Sequence, residues 1–250
     1  MKSGKLKKTL LTLGGVLFWA AVWEALALIV GKEILLPTVG QTLAAFGRAA
    51  LTGEFALSVL LSFLRISAGL AAGCVFGALC AIGSYASPVI KAIFSPLMRV
   101  FRATPVASVI ILALVWLKAS FVPSLAVTVM AAPILYASVL SGLEAVDGKM
   151  LEMTRLYGLS TGKRVRTLYL PSLVPHLRAS VTTAVGLGWK AGVAAEVIAR
   201  PLYALGTSIY NTKLYLETAE LFAVTLVVVL VSVLLEKLTA RLIGRKEARP

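Results

Sequence analysis

The sequence predicts an all-α, polytopic membrane protein with about six transmembrane helices and both termini cytoplasmic. Three observations carry that expectation. The 250 residues are 59 % hydrophobic and only 14 % charged, with a mean hydropathy of +0.91. Apolar runs of about 20 residues, enough to cross a bilayer as a helix, recur along the chain. The Lys and Arg residues between those runs fall mainly on one side, as the positive-inside bias requires.

The first run, about Leu10 to Val30, follows the basic stretch MKSGKLKKTL. Ala25-Leu26-Ala27 resembles a signal-peptide cleavage site. The full transmembrane length of the run, with Glu24, Trp19 and Trp23 inside it, favours a retained span. Residues 39–52 suit a short helix lying on the membrane surface. Further spans are expected at roughly 60–84, 97–117, 122–142, 177–199 and 219–240, with a loop of about twenty residues before the last.

With the N-terminus inside, the inner segments hold eighteen of the 25 basic residues. These are Lys2, Lys5, Lys7 and Lys8, then Lys91, Arg99 and Arg102. Lys149, Arg155, Lys163, Arg164, Arg166 and Arg178 follow, and Lys237, Arg241, Arg245, Lys246 and Arg249 close the set. The outer loops hold five: Lys32, Arg48, Lys118, Arg200 and Lys213. Arg65 and Lys190 fall within spans. The net charge of +14 therefore reads as loop charge, and no groove-reading motif argues for nucleic acid.

The segment at about 143–175 is far longer than a turn between two spans needs. Met150, Leu151, Met153, Leu156 and Tyr157 recur at helical spacing. Gly158 can supply the positive φ that ends such a helix. Ser160 or Thr161 can cap a second one carrying Val165, Leu168 and Leu170, and Pro171 is expected to break it. The expected product is a short, stiff, L-shaped cytoplasmic knob, apolar on one side and ringed by basic residues.

The spacing of Glu152, Gly158 and Leu170-Pro171 resembles the signature loop of bacterial ATP-binding-cassette importer permeases. Met153 and Thr154 replace two alanines of that signature, and Leu168 replaces an isoleucine. LLPTVGQTLAAF, SFLRISAGL, RATPVAS and GWKAGVAAE, the last followed by Gly206, are similar to further motifs of the nitrate, sulfonate and taurine type. The usual glycine after span three is missing from VWLKASFVPS. The resemblance implies one permease domain over 1–250, in a bacterial cytoplasmic membrane, working as a homodimer. It implies ATPase subunits on separate chains, which bind ATP and magnesium, and an extracytoplasmic substrate-binding protein. It implies a coupling role for Glu152, Arg155, Leu156, Gly158, Leu159, Leu170 and Pro171. The implied substrate is a small anion such as a sulfonate, taurine or nitrate; a vitamin precursor, thiamine pyrimidine or flavin, is the alternative.

No cofactor is expected on this chain. GLSTGKR fails as a phosphate loop, because only three residues separate its glycines and Arg164 stands where Ser or Thr must bind magnesium. No metal site is expected from one histidine, His176, and two separated cysteines, Cys74 and Cys80. No catalytic set argues for a membrane enzyme. Glu24, Arg65, Lys190 and Glu196 are ionisable groups that must pair or face a cavity in a membrane. Glu24 with Arg65 is the expected pair and Arg65 with Glu196 its rival. Lys190 either faces the pathway or reaches water. Gly69, Gly73 and Gly77 make a smooth helix face, for packing within the subunit or for sliding along the path.

Overall fold

The computed structural model describes the backbone of residues 2–244, and the side chains of residues 10–241 other than Arg155. The expectations placed on the side chains of Lys2, Lys5, Lys7, Lys8 and Arg155, and on Arg245, Lys246 and Arg249, lie outside the described residues.

All regular structure among the described residues is helical. Helix α1 (Lys2–Val30) contains the first apolar run, Leu10–Val30. Helix α2 (Val39–Ala50) opens with a capping box. The Thr38 hydroxyl accepts the Gln41 amide N–H at 3.1 Å, and the Gln41 side chain accepts that of Thr38 at 2.8 Å. This arrangement satisfies two amide groups that have no partner within the helix. Helix α3 (Gly53–Ala86) is longer than the predicted second span, and α4 (Pro88–Ala103) follows after Ser87 alone.

The predicted third span at 97–117 is not one continuous helix. Helices α4 and α5 (Val106–Trp116) meet at 104°. Proline disfavours the helical conformation in the residue before it. Thr104, ahead of Pro105, is accordingly extended at φ −74°, ψ 126°, so the segment is a bent pair.

Helix α6 (Val122–Glu144) forms the centre, packed mainly against α3 and α9. Small residues make that possible. A Cβ on Gly69 would strike the Ser124 carbonyl, and one on Gly77 the Ala132 carbonyl. One on Gly73 would lie 2.8 Å from the Ala131 Cβ. The backbones approach until Ser124 Oγ donates to the Arg65 carbonyl at 2.8 Å and Thr128 Oγ1 to that of Gly69 at 3.0 Å. The glycine face thus lies in the α3–α6 contact within the chain. Cys74 and Cys80 are both free thiols packed in this region.

Helices α7 (Gly148–Leu156) and α8 (Thr161–Arg164) form the predicted elbow. Pro171 does not break the chain. Residues Val165–Tyr169 widen into a π-turn, in which the Leu170 N–H reaches the Val165 carbonyl, and α9 (Leu170–Ala199) continues through the proline. Pro171 has no N–H to donate, and a wider turn ahead of it adjusts the hydrogen-bond register. The second arm of the elbow is therefore continuous with a 30-residue helix.

The loop expected before the last span holds α10 (Leu205–Leu214), and α11 (Thr218–Gly244) completes the chain. Among the described residues, four single helices, α1, α3, α6 and α11, are long and apolar enough to cross a membrane, and the bent α4–α5 pair is so only when its two helices are taken together. Helix α9, the predicted fifth span, is about 45 Å long. It carries Arg178, Lys190 and Glu196, which lower its apolarity.

Candidate functional site

Two regions at opposite ends of α9 carry the chemistry. One is the elbow before its N-terminus. The other lies around Glu196, about 40 Å further along the helix axis.

Glu196 has no exposed surface. Its Oε2 accepts the Ser62 hydroxyl at 2.7 Å and the Gly206 N–H at 3.2 Å. Oε1 lies 3.8 Å from Arg65 Nη1. The Ser62 oxygen also accepts the Leu205 N–H at 2.9 Å. Arg65 donates to the Tyr203 and Leu202 carbonyls at 3.0 and 2.9 Å. Three residues on α3 and α9 therefore hold the turn between α9 and α10. That turn needs holding, because Arg200 and Tyr203 sit at φ 51° and 48°, where residues with side chains are strained. Gly206 is required by close approach, since a Cβ there would strike that of Glu196.

The predicted Glu24–Arg65 pair does not form. Glu24 Oε2 instead accepts the Val39 N–H at 2.7 Å, the first amide of α2. A carboxylate at a helix N-terminus is favoured by both the free amide and the helix dipole. Trp23 Nε1 beside it donates to the Pro37 carbonyl at 3.0 Å. The sequence leaves the direction of each charged side chain open, and here Arg65 takes the rival partner, Glu196. A cavity of about 690 Å³ opens beside the α9–α10 turn, and Arg48, Arg200, Glu54 and Glu217 are among its lining.

At the elbow, Gly158 adopts φ +64°, with open space where a Cβ would be. The Leu159 N–H closes on the Thr154 carbonyl at 3.0 Å, and Arg164 Nε donates to the Leu159 carbonyl at 3.1 Å. Ser160 occupies the N-cap position of α8 without a side-chain capping bond. Leu156 is 87 % exposed and Tyr157 77 %, and Met150, Met153, Val165 and Leu170 are also open. Glu152 is exposed, Leu159 half-buried and Pro171 exposed. Among the described residues, α7 packs substantially on no other helix.

Lys190 is exposed on α9 and lines a small cavity with Glu236 of α11. It does not share a site with Glu196. His176 also lies on α9, and its carbonyl accepts the Ser138 hydroxyl at 2.8 Å. The sequence reading missed Glu236 and Ser62 as site residues. It also missed the Lys91–Glu144 ion pair at 2.7 Å, which ties α4 to the end of α6. Ser62 stood within a quoted motif, but only the fold shows that its one hydroxyl serves both Glu196 and Leu205.

The fold and these two ends define a multi-pass helical membrane protein with exposed apolar residues on the elbow at one end. Residues 73–249 match the family described as the binding-protein-dependent transport system inner membrane component, and the chain belongs to that family. It is similar to the taurine transport system permease protein TauC of Escherichia coli (strain K12), 26 % identical over 177 residues, or 70 % of this chain and 64 % of TauC. It is also similar to the glycine betaine transport system permease protein OpuAB of Bacillus subtilis (strain 168). That match is 23 % identical over 172 residues, 67 % of this chain and 60 % of OpuAB. The chain thus spans less than two thirds of the length of either relative.

Two solved structures share the fold. A crystal structure of an amino acid ABC transporter with histidines superposes with a TM-score of 0.63 at 17 % identity, covering 82 % of this chain and 97 % of that one. The MetNI methionine ABC transporter in inward-facing conformations gives 0.57 at 19 % identity, over 78 % and 95 %.

Proposed function

We propose that this chain is the permease subunit of an ATP-binding-cassette importer, a single domain that forms the substrate pathway as a homodimer. The segment at about 143–175 couples the pathway to two ATPase subunits on separate chains, which bind the ATP and magnesium. An extracytoplasmic binding protein delivers substrate at the opposite end, and both termini face the cytoplasm. Helix α9 supplies the sixth crossing, its charges accommodated by neighbours and cavities.

The observation that carries this reading is the elbow. It exposes Leu156 and Tyr157 beside a Gly158 locked at φ +64°. Exposed apolar residues on a projecting helix suit burial in a groove of another protein. The continuity of α8, the π-turn and α9 supports a lever: displacement of the elbow moves a helix that runs to the Glu196 cluster. Family membership and the TauC likeness support import of a small compound with an anionic group, such as a sulfonate, taurine or nitrate.

Proline cannot adopt a positive φ. Gly158→Pro is therefore expected to leave membrane insertion intact and to abolish substrate-stimulated ATP hydrolysis in reconstituted vesicles. Coupled uptake that survives the substitution would refute the coupling role.

A further inference from the structure

A cavity of about 280 Å³ lies between α9 and α11, lined by Thr182, Thr183, Gly186, Leu187, Lys190 and Glu236. It brings an ammonium and a carboxylate into one small space, yet the two form no ion pair among the described residues. Gly186 creates the space. A Cβ there would lie 2.5 Å from Glu236 Oε1, so only glycine lets the carboxylate come this close to α9. Ser232 Oγ donates to the same oxygen at a long 3.4 Å. Helical side chains lean toward their helix N-terminus, and that brings Lys190 back toward the level of Gly186.

The hydroxyls are committed in one direction. Thr182 Oγ1 donates to the Arg178 carbonyl at 2.9 Å and Thr183 Oγ1 to the Ala179 carbonyl at 2.9 Å. Each hydroxyl has one proton, so both present only lone pairs to the cavity. The cavity therefore holds one strong donor, Lys190, and several acceptors: Glu236, Thr182 and Thr183. A bare anion would meet Lys190 and be repelled by Glu236. A molecule with an acid group at one end and an ammonium at the other satisfies both. Separated charges within a membrane are costly unless something between them compensates.

We infer that this cavity is a pathway subsite for a small zwitterion, with Lys190 holding its acid group and Glu236, with the two threonines, its ammonium. The inference rests on the importer reading and narrows its substrate class, since nitrate has no group for Glu236. An ethanolamine lipid headgroup presents the same chemistry, so the test must separate the two sources.

Leu187 lines the cavity and offers a reporter. Leu187→Cys would be introduced into the full chain with Cys74→Ala and Cys80→Ala. It would be assembled with its ATPase in nanodiscs of phosphatidylglycerol and labelled with a maleimide. Taurine should slow labelling at about a tenfold lower concentration than isethionate, which carries a hydroxyl in place of the ammonium. Glu236→Gln should abolish that preference, Glu236→Asp should keep it, and Lys190→Gln should weaken protection by both compounds. An unchanged preference in Glu236→Gln would overturn the subsite. So would a Lys190→Glu, Glu236→Lys exchange that restores wild-type labelling without any ligand effect, as expected of a plain ion pair. Protection by phosphatidylethanolamine in place of taurine would assign the cavity to a lipid and overturn the substrate role. Uptake into vesicles tests the importer reading separately. Uptake with an unchanged labelling preference in Glu236→Gln removes only the subsite; zwitterion-specific protection without coupled uptake removes the importer and leaves the site.

Discussion

The two ends of α9 are built on opposite principles. Around Glu196 nearly every element is closed: a fully buried carboxylate with one oxygen twice hydrogen-bonded and the other facing Arg65 at 3.8 Å, a hydroxyl used twice, an arginine on two carbonyls, and a glycine with no room for a Cβ. Around Gly158 the backbone turn is closed but the side chains are not. Large apolar side chains stand in the open, and among the described residues α7 packs substantially on no other helix. Buried polar groups must be satisfied within the chain, because water cannot reach them. Exposed apolar groups on a projecting element are satisfied only by something outside the chain. The contrast separates a region that sets the fold from the region to which the proposed function assigns a partner.

Substitutions at the two ends should therefore differ in what they damage. The largest effect on stability is expected from Glu196→Ala. It leaves Arg65 short of its counter-charge and Ser62 without its acceptor. Losing one member of a buried charged pair costs about 3–5 kcal/mol, and unfolding in detergent would measure it. A loss below about 1 kcal/mol would show that the cluster is not the closed element described here.

Next comes Gly77→Leu, which forces a side chain onto the Ala132 carbonyl of α6. Overpacking of this kind costs about 1–3 kcal/mol. The same unfolding assay checks it, and Gly47→Leu, where no atom lies near, serves as the control.

The smallest stability effect belongs to the elbow. Leu156→Ser with Tyr157→Ser should change unfolding by no more than about 0.5 kcal/mol, because both side chains are already exposed. The same pair should strongly reduce recovery of the ATPase in co-purification. Loss of stability without loss of the partner would invert the comparison between the two ends.

The elbow was the more legible end. Its helical spacing, its glycine and its proline are local features, and local features are written in order along the chain. Gly158 ends α7 in the positive-φ conformation the sequence predicts. Pro171 was legible as a constraint but misread as a break, because a π-turn can adjust the register ahead of a proline. Pro105 was the reverse case: the sequence placed it inside the span at 97–117, and the chain bends there. A proline limits the backbone locally, whereas packing against neighbouring helices decides whether the chain bulges or turns.

By itself, the sequence determined that the chain is helical, that it enters a membrane, and, within a few residues, where the apolar parts of α1, α6 and α11 begin and end. Hydrophobic length and loop charge act residue by residue, so no partner helix is needed to read them. Only the tertiary structure decided that Arg65 sits with Glu196 and Glu24 with the start of α2. It alone brought Glu236 to the cavity of Lys190. These pairs join residues far apart in the chain, and the helix packing that brings them together sets their direction. Depth along a helix can be counted from a sequence, but the face toward which a charged side chain points follows from the neighbours that enclose it.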